Sequence, residues 1–350
     1  MPTPPARVRP PRLATLAALL LPACADSTRP NDPSGSDPAA SAPAITARTR
    51  LTLDGSRFRV NGSLTHTGTP TQGMLPNVRM ANSVFQDAAR RDFDPEGNTA
   101  EFLGRMGEYM SQGVLGFTVS LQGGYPGYEG ARNSAFRSDG TLDGTYLARV
   151  ARVVERADAL GAVIILSLFY QRQDQILRDE QAVRAAVVNA VDWVRQRGYR
   201  NIVLEIVNEY GHSGFNHAVL RSDGGVAGLI RLARQRHSSL PIGASTRGNG
   251  RTTPRVAEAS DVILVHFNQL ATSEIRSRVQ ALRTAHPGKP IVCNEDDRTG
   301  ADGVAALSAA VGAGASYGLM VERINQHYPF DFYGRGDDPK VYDRYRALAN

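Results

Sequence analysis

The stretch IVLEIVNEYGH, residues 202–212, is a β-branched run that breaks off in Asn-Glu. A second stretch, PIVCNEDD at residues 290–297, ends the same way. Unbroken Ile/Val/Leu runs of this length read as strands buried on both faces, as in a parallel sheet. An amide and a carboxylate at the exit of a buried strand are costly unless something there uses them. Their recurrence asks for a fold that brings two strand ends together.

Working outward from these runs, short apolar segments alternate with amphipathic helical ones. The strand candidates are 63–67, 114–121, 162–170, 201–208, 241–245, 261–267, 290–294 and 315–321. Helical spacing covers 99–112, 146–160, 180–197, 226–238, 273–286 and 303–312, several of them ending in Gly or near Pro. LTLDGSRFRVNG (51–62) opens the domain as a hairpin with Asp54-Gly55 at the turn. Eight strands with helical crossovers predict an α/β fold, a single-domain (β/α)8 TIM barrel over residues 48–350. A doubly wound open sheet is the competitor. The Gly123-Gly124 pair after the second strand lacks the phosphate-turn spacing that such a sheet carries.

In a barrel the strand exits share one face, where active sites are built. Counted from 63–67, Asn208-Glu209 ends strand four and Asn294-Glu295 ends strand seven, so both carboxylates face one cavity. Two carboxylates so placed suit glycosidic bond cleavage, in which one donates a proton and the other attacks or activates water.

The motifs VNEYGH (207–212) and CNEDD (293–297) resemble those of clan A of the retaining glycoside hydrolases, the cellulase-like four/seven superfamily. The resemblance implies a poly- or oligosaccharide substrate and a double displacement. Glu209 is then the general acid/base, Glu295 the nucleophile, and Asn208 a hydrogen-bond partner of the sugar 2-hydroxyl. The clan places a His or Tyr at the end of strand six, and VILVHFN (262–268) supplies His266 there. GMLPNVRMANSVFQD (73–87), VSLQGGYPGY (119–128) and CNEDD resemble a group of secreted bacterial cellulase-like proteins without an assigned substrate. The clan's sugar-stacking tryptophan after strand eight has no counterpart in ASYGLMVER (315–323). Trp193, the one tryptophan, sits in a helix, and Tyr317 is the candidate platform.

Other residues are candidates by position alone. His212 follows Glu209 by three residues. His66 and Arg79 lie at the end of strand one and in the loop after it. Tyr125 and Tyr128 flank Pro126-Gly127 after strand two, and Tyr170 ends strand three. Asn294, Asp296 and Asp297 surround Glu295, and either aspartate could share or take its role. Asp143, Asp158 and Asp192 read as solvated. Each candidate also has a plainer reading: Glu209 as a salt-bridge partner, His266 as a core histidine satisfied by backbone. Glu209 is expected to have its pKa raised by burial and by Glu295, and so to be protonated before turnover.

Composition bounds the rest. The 350 residues are 41% hydrophobic and 21% charged, an ordinary globular balance. Of the formal net charge of +6, three units come from Arg7, Arg9 and Arg12. The remaining arginines are dispersed, and no basic run marks a nucleic-acid footprint. The same arginines, the short apolar core from Leu13 to Leu21 and LPAC (21–24) form an export signal over 1–23. LPAC resembles the lipobox of bacterial lipoproteins, which implies lipidation of Cys24 and a membrane contact through the lipid anchor alone; an ordinary signal peptide is the alternative. Residues 24–47 are rich in Pro, Ser, Ala and Asp and are expected to be a disordered tether. Cys293, the only other cysteine, reads as a small buried hydrophobe and has no disulfide partner if Cys24 is lipidated. A monomer is expected.

No cofactor or metal is expected. LTHTG (64–68) offers one histidine where metal-dependent barrel hydrolases carry His-x-His, and no helical i, i+4 histidine pair occurs. The alternatives to a glycosidase are a surface glycan-binding lipoprotein without turnover and a metal-dependent barrel hydrolase.

Overall fold

The computed structural model describes residues 43–90, 92–123 and 130–350. The expected export signal, Cys24, most of the expected tether, and residues Tyr125 and Tyr128 lie outside them. The first elements form a small antiparallel sheet: β1 (Leu51–Asp54), β2 (Arg57–Val60) and β3 (Ser63–Leu64). Gly55, at φ +59°, makes the β1–β2 turn. The chain is already tied down at Ile45, whose N–H donates to the Arg197 carbonyl, just ahead of the expected domain start.

Eight parallel strands follow among the described residues: β4 (Asn77–Arg79), β5 (Gly116–Ser120), β6 (Val163–Phe169), β7 (Ile202–Val207), β8 (Ile242–Gly243), β9 (Ile263–His266), β10 (Ile291–Glu295) and β11 (Gly318–Leu319). Six of them pair in the order β11-β4-β5-β6-β7-β8, and β9 pairs with β10. Backbone bonds bridge the remaining seams. Asp261 N–H reaches the Ile242 carbonyl between β8 and β9. Cys293 N–H to the Ser316 carbonyl and Asp296 N–H to the Gly318 carbonyl join β10 to β11. The strands therefore close into a (β/α)8 barrel.

The first barrel strand is not the expected one. Residues 63–64 belong to the small sheet, and Asn77–Arg79 takes the place in the barrel. In that three-residue strand Asn77 and Arg79 flank Val78, and the Pro76 carbonyl accepts from Leu115 and Gly116. Its inward side chains are polar, so it carries no hydrophobic run. The count of strands four and seven is unchanged.

Helices pack outside, most of them with local start and stop signals. Asp94, Asp143 and Asp179 cap α1 (Pro95–Ser111), α2 (Gly144–Leu160) and α3 (Glu180–Gln196), each accepting from N–H groups of the first turn. Asp158, expected to be solvated, is buried and accepts from the backbone of Arg48 and Thr49.

The barrel interior changes character along its axis. Leu51 and Phe58 of the small sheet join Leu75, Val163, Ile165, Val203, Val262, Leu264 and Val292 in one aliphatic cluster at the N-terminal end. Side chains alternate along a strand, so Arg79, Ser167, Glu205, His266 and Asn294 share the inward face with this cluster. They fill the C-terminal half, and all are buried.

Candidate active site

Glu209 leaves β7 in a left-handed backbone conformation, φ 54°, that non-glycine residues rarely adopt. Its N–H donates to Ser245 Oγ at 3.2 Å, beyond the end of β8, and the Tyr210 N–H donates to the Ser245 carbonyl. This bend turns the Glu209 carboxylate over the barrel mouth. Strain of this kind is held where the surroundings over-determine it, commonly at functional sites.

Glu295 reaches the mouth by a different device. The ladder between β10 and β9 shifts register between Cys293 and Glu295, and Glu295 lies opposite His266. Its Oε2 meets Arg79 Nε at 3.1 Å, and its Oε1 accepts from Asn268 Nδ2 at 2.9 Å. Arg79 is the last residue of β4, only 1% exposed, and also donates from Nη2 to Asn208 Oδ1 at 3.0 Å. Gln171, just past β6, donates to Glu209 Oε2 at 3.3 Å.

His266 stands between the two carboxylates. Its Nδ1 is 3.5 Å from an oxygen of each, at the outer edge of hydrogen bonding, so the contact is chiefly one of charge. One ligand atom from each of Glu209, His266 and Glu295 lies within 4.8 Å of the others. The two carboxylates are thus close neighbours across the mouth.

The electrostatics depart from expectation at Glu209. Burial pushes its pKa up, but the His266 imidazole 3.5 Å away, with His212 and Arg79, outweighs burial and holds it below the ordinary value. His266 responds in the opposite sense. Burial lowers its pKa, while Glu295 and Glu209 more than compensate and raise it. In the resting site the shared proton therefore sits on the imidazole rather than on Glu209. The Arg79 pKa is also raised: burial opposes its charge, and Glu295, Glu205, Tyr170 and Glu209 together favour it.

The three converging ligand atoms could in geometry approach a cation. The Arg79 guanidinium already lies against Glu295 Oε2 at 3.1 Å, so the cluster carries a cation of its own. We assign no metal to this cluster.

The other candidates divide. Asn208 is fully buried on Arg79, and Tyr170 is 8% exposed at the end of β6, within electrostatic reach of Arg79. His212 is half-buried at the mouth; its pKa is lowered by burial and by Arg247 and Arg172, against the pull of Glu209. Asp297 is exposed beside Glu295 and Glu322, and burial with those charges raises its pKa.

Four candidates belong elsewhere. His66 follows β3 at the opposite end of the barrel, in contact with the backbone of Ala349. Asn294 is turned down into the barrel, donating to Glu205 Oε1 at 3.0 Å. Asp296 is wholly buried and pinned by Arg298 Nη1 at 2.7 Å from Oδ2. Tyr317 is fully buried, its ring 6.2 Å from that of Tyr345 outside the barrel, so it offers no platform to a sugar. Strand parity explains the last: Gly318 faces in, and Tyr317 therefore faces the helices. Tyr125 lies outside the described residues.

Gln171, Ser245, Asn268 and Glu205 went unread in the sequence. Asn268 carried a usable signal, since it stands two residues after His266 in VHFN. The others depend on which strands are neighbours.

No family model matches the chain, and no curated protein matches it. Solved structures do match. A candidate glycoside hydrolase from Bacteroides vulgatus ATCC 8482 aligns at TM-score 0.61 and 11% identity, over 85% of this chain and 60% of that one. A GH5-4 broad specificity endoglucanase from Clostridium longisporum aligns at 0.56 and 10%, over 79% and 97%. An endo-1,4-β-mannanase from Rhizomucor miehei aligns at 0.57 and 10%, over 86% and 99%. The chain thus spans 60% of the length of the first and nearly all of the other two. The likeness is one of fold. It is the (β/α)8 barrel that the strand order and closure already describe.

Proposed function

We propose that this protein is a glycoside hydrolase that cleaves a poly- or oligosaccharide with retention of configuration. The observation that carries the proposal is the pairing of Glu209 and Glu295 across His266, with Glu295 held by Arg79 and Asn268. Retention requires carboxyl groups about 5–5.5 Å apart, against roughly 6.5–9.5 Å for inversion. The approach within 4.8 Å supports the shorter class.

In this reading an oxygen of Glu295 attacks the anomeric carbon as the glycosidic bond breaks, and the leaving oxygen takes a proton from Glu209. Water then attacks the glycosyl ester, its proton returns to Glu209, and Glu295 leaves as carboxylate. Arg79 and Asn268 each hold one Glu295 oxygen, which fixes the direction of attack. The proton resting on His266 is passed to Glu209 when a neutral sugar displaces water, because a dry site favours the neutral pair over the ion pair. Activity should follow a bell-shaped pH profile that belongs to the coupled groups.

Release of reducing sugar from β-glucan and β-mannan panels, with the anomer of the first product followed by NMR, tests this function. A retained anomer is expected. An inverted product would overturn the mechanism, and binding without turnover, unchanged in Glu209→Gln, would favour a glycan-binding protein.

The export reading belongs to the same proposal: Cys24 is lipidated and holds the barrel at a bacterial membrane. Cys24→Ala should release the protein from the membrane fraction with its barrel folded. A wild-type protein that is soluble without detergent and carries an unmodified N-terminus would refute the anchor.

A further inference from the structure

Glu205 lies in the middle of β7, four residues before Glu209, and has no exposure to solvent. Its Oε1 accepts from Asn294 Nδ2 at 3.0 Å, while Oε2 has no hydrogen-bond partner among the described residues. A buried carboxylate with one hydrogen bond costs stability. Its ladder neighbours Ser167 and Gly243 are small and uncharged, so the sheet itself does not call for a charge there.

The buried cation that shares the inward C-terminal layer with Glu205 is Arg79, which is not in a direct ion pair with it but lies within range of its charge. This guanidinium is buried beneath Glu295 and Asn208, and its Nη1 also lacks a hydrogen-bond partner among the described residues. The charges that act on it come from Glu295 on β10, Glu205 on β7 and Glu209 just past its end; His266 on β9 faces the same carboxylates. During the proposed double displacement Glu295 becomes an ester and loses its charge. Arg79 would then draw on Glu209, the group that must accept a proton from water.

We propose that Glu205 is a positioning residue that serves as the permanent counter-ion of Arg79, keeping its charge compensated while Glu295 is esterified and leaving Glu209 basic enough to activate water. This inference rests on the double-displacement reading. It explains why a costly buried carboxylate sits below the two reacting ones rather than beside the substrate.

The test is Glu205→Gln, which keeps an acceptor for Asn294 and removes only the charge. The probes are the 2,4-dinitrophenyl β-glucoside, β-cellobioside and β-mannoside, whose good leaving groups make hydrolysis of the ester the slow step. The variant should show about a tenfold lower kcat with a lowered KM, and glycosyl-enzyme visible by intact-protein mass spectrometry. The acidic limb of kcat/KM should move to lower pH, because Arg79 then acts on Glu295 and Glu209 without competition. Glu205→Asp, which keeps the charge, should restore most of kcat.

Wild-type kinetics in Glu205→Gln, or failure of Glu205→Asp to restore them, would overturn the inference. If Glu205→Gln does not fold, Asn294→Ala decides. It breaks the hydrogen bond and leaves the charge, so a wild-type acidic limb supports the inference and a shifted one assigns Glu205 a structural role. Should the wild-type protein turn over none of the glycosides, the functional reading itself fails. Titration of 13C-labelled glutamates by NMR then still asks whether Glu205→Gln lowers the Glu295 midpoint, and an unmoved midpoint overturns the pairing.

Discussion

At its N-terminal end the barrel is stoppered by Leu51 and Phe58 over a layer of Leu75, Val163, Val203, Val262 and Val292. At its C-terminal end the same cylinder is filled by Arg79, Glu205, Asn208, His266 and Glu295, and Glu209 is bent over the top. Both ends are buried, yet they do different work. Burial of hydrocarbon at the lower end stabilises the fold. Burial of charge at the upper end costs stability and yields groups whose protonation each neighbour controls. The separation lets the chain carry strain and unpaired polar atoms at one end because the other supplies the cohesion.

Substitutions at the two ends should therefore fail in different ways. The largest effect is expected from Glu295→Ala. Hydrolysis should fall by about 10⁴–10⁶-fold, as for loss of a nucleophile in a cooperating group, and external azide should rescue it as a glycosyl azide of inverted configuration. A rescued product with retained configuration would mean that Glu295 is not the attacking group. Phe58→Ala should lower unfolding free energy by about 3–5 kcal/mol through the cavity it leaves, while kcat of the folded fraction stays unchanged. A loss of kcat under fully folded conditions would show that the two ends are not independent.

The third prediction concerns pH. Burial raises the Asp296 pKa from 3.8 to about 6, against the lowering influence of Arg298. The folded state thus holds this proton through a window in which the unfolded state has lost it, so stability falls as pH rises from about 4 to 6 and is flat above. In Asp296→Asn that slope should vanish. The wild type should lose on the order of 3 kcal/mol relative to the variant across the window, as measured by urea unfolding at a series of pH values. Parallel curves for the two proteins would refute the assignment.

The smallest effect is expected from Asn268→Ala, which removes one hydrogen bond to the Glu295 carboxylate. Such a bond to a charged group contributes roughly 1.5–3 kcal/mol. The expected loss in kcat/KM is about 10–100-fold, with little change in Tm. A fall in Tm with unaltered kcat/KM would place Asn268 in the scaffold instead.

Several features were legible in the chain because they depend only on near neighbours in sequence. The β-branched runs 201–208 and 290–294, their Asn-Glu exits, the Asp54-Gly55 turn and the alternation with helices all have local causes: side-chain periodicity, turn chemistry and capping. From these the barrel and its paired glutamates could be read. The first barrel strand could not, because Asn77 and Arg79 point inward and leave Val78 as its only apolar residue. Nor could the orientation of Asn294, Asp296 and Tyr317. These follow from the register shift at Cys293–Glu295 and from the parity of β11, which are properties of pairing between distant strands. The location of the shared proton was also beyond reach. Placement at two strand exits of one barrel suggested that burial and Glu295 would raise Glu209, but the fold places His266 and Arg79 among the carboxylates, and their positive charge reverses the direction. Periodicity and turns are encoded within a few residues. The partners that tune a buried charge are assembled only when strands far apart in the chain close the barrel.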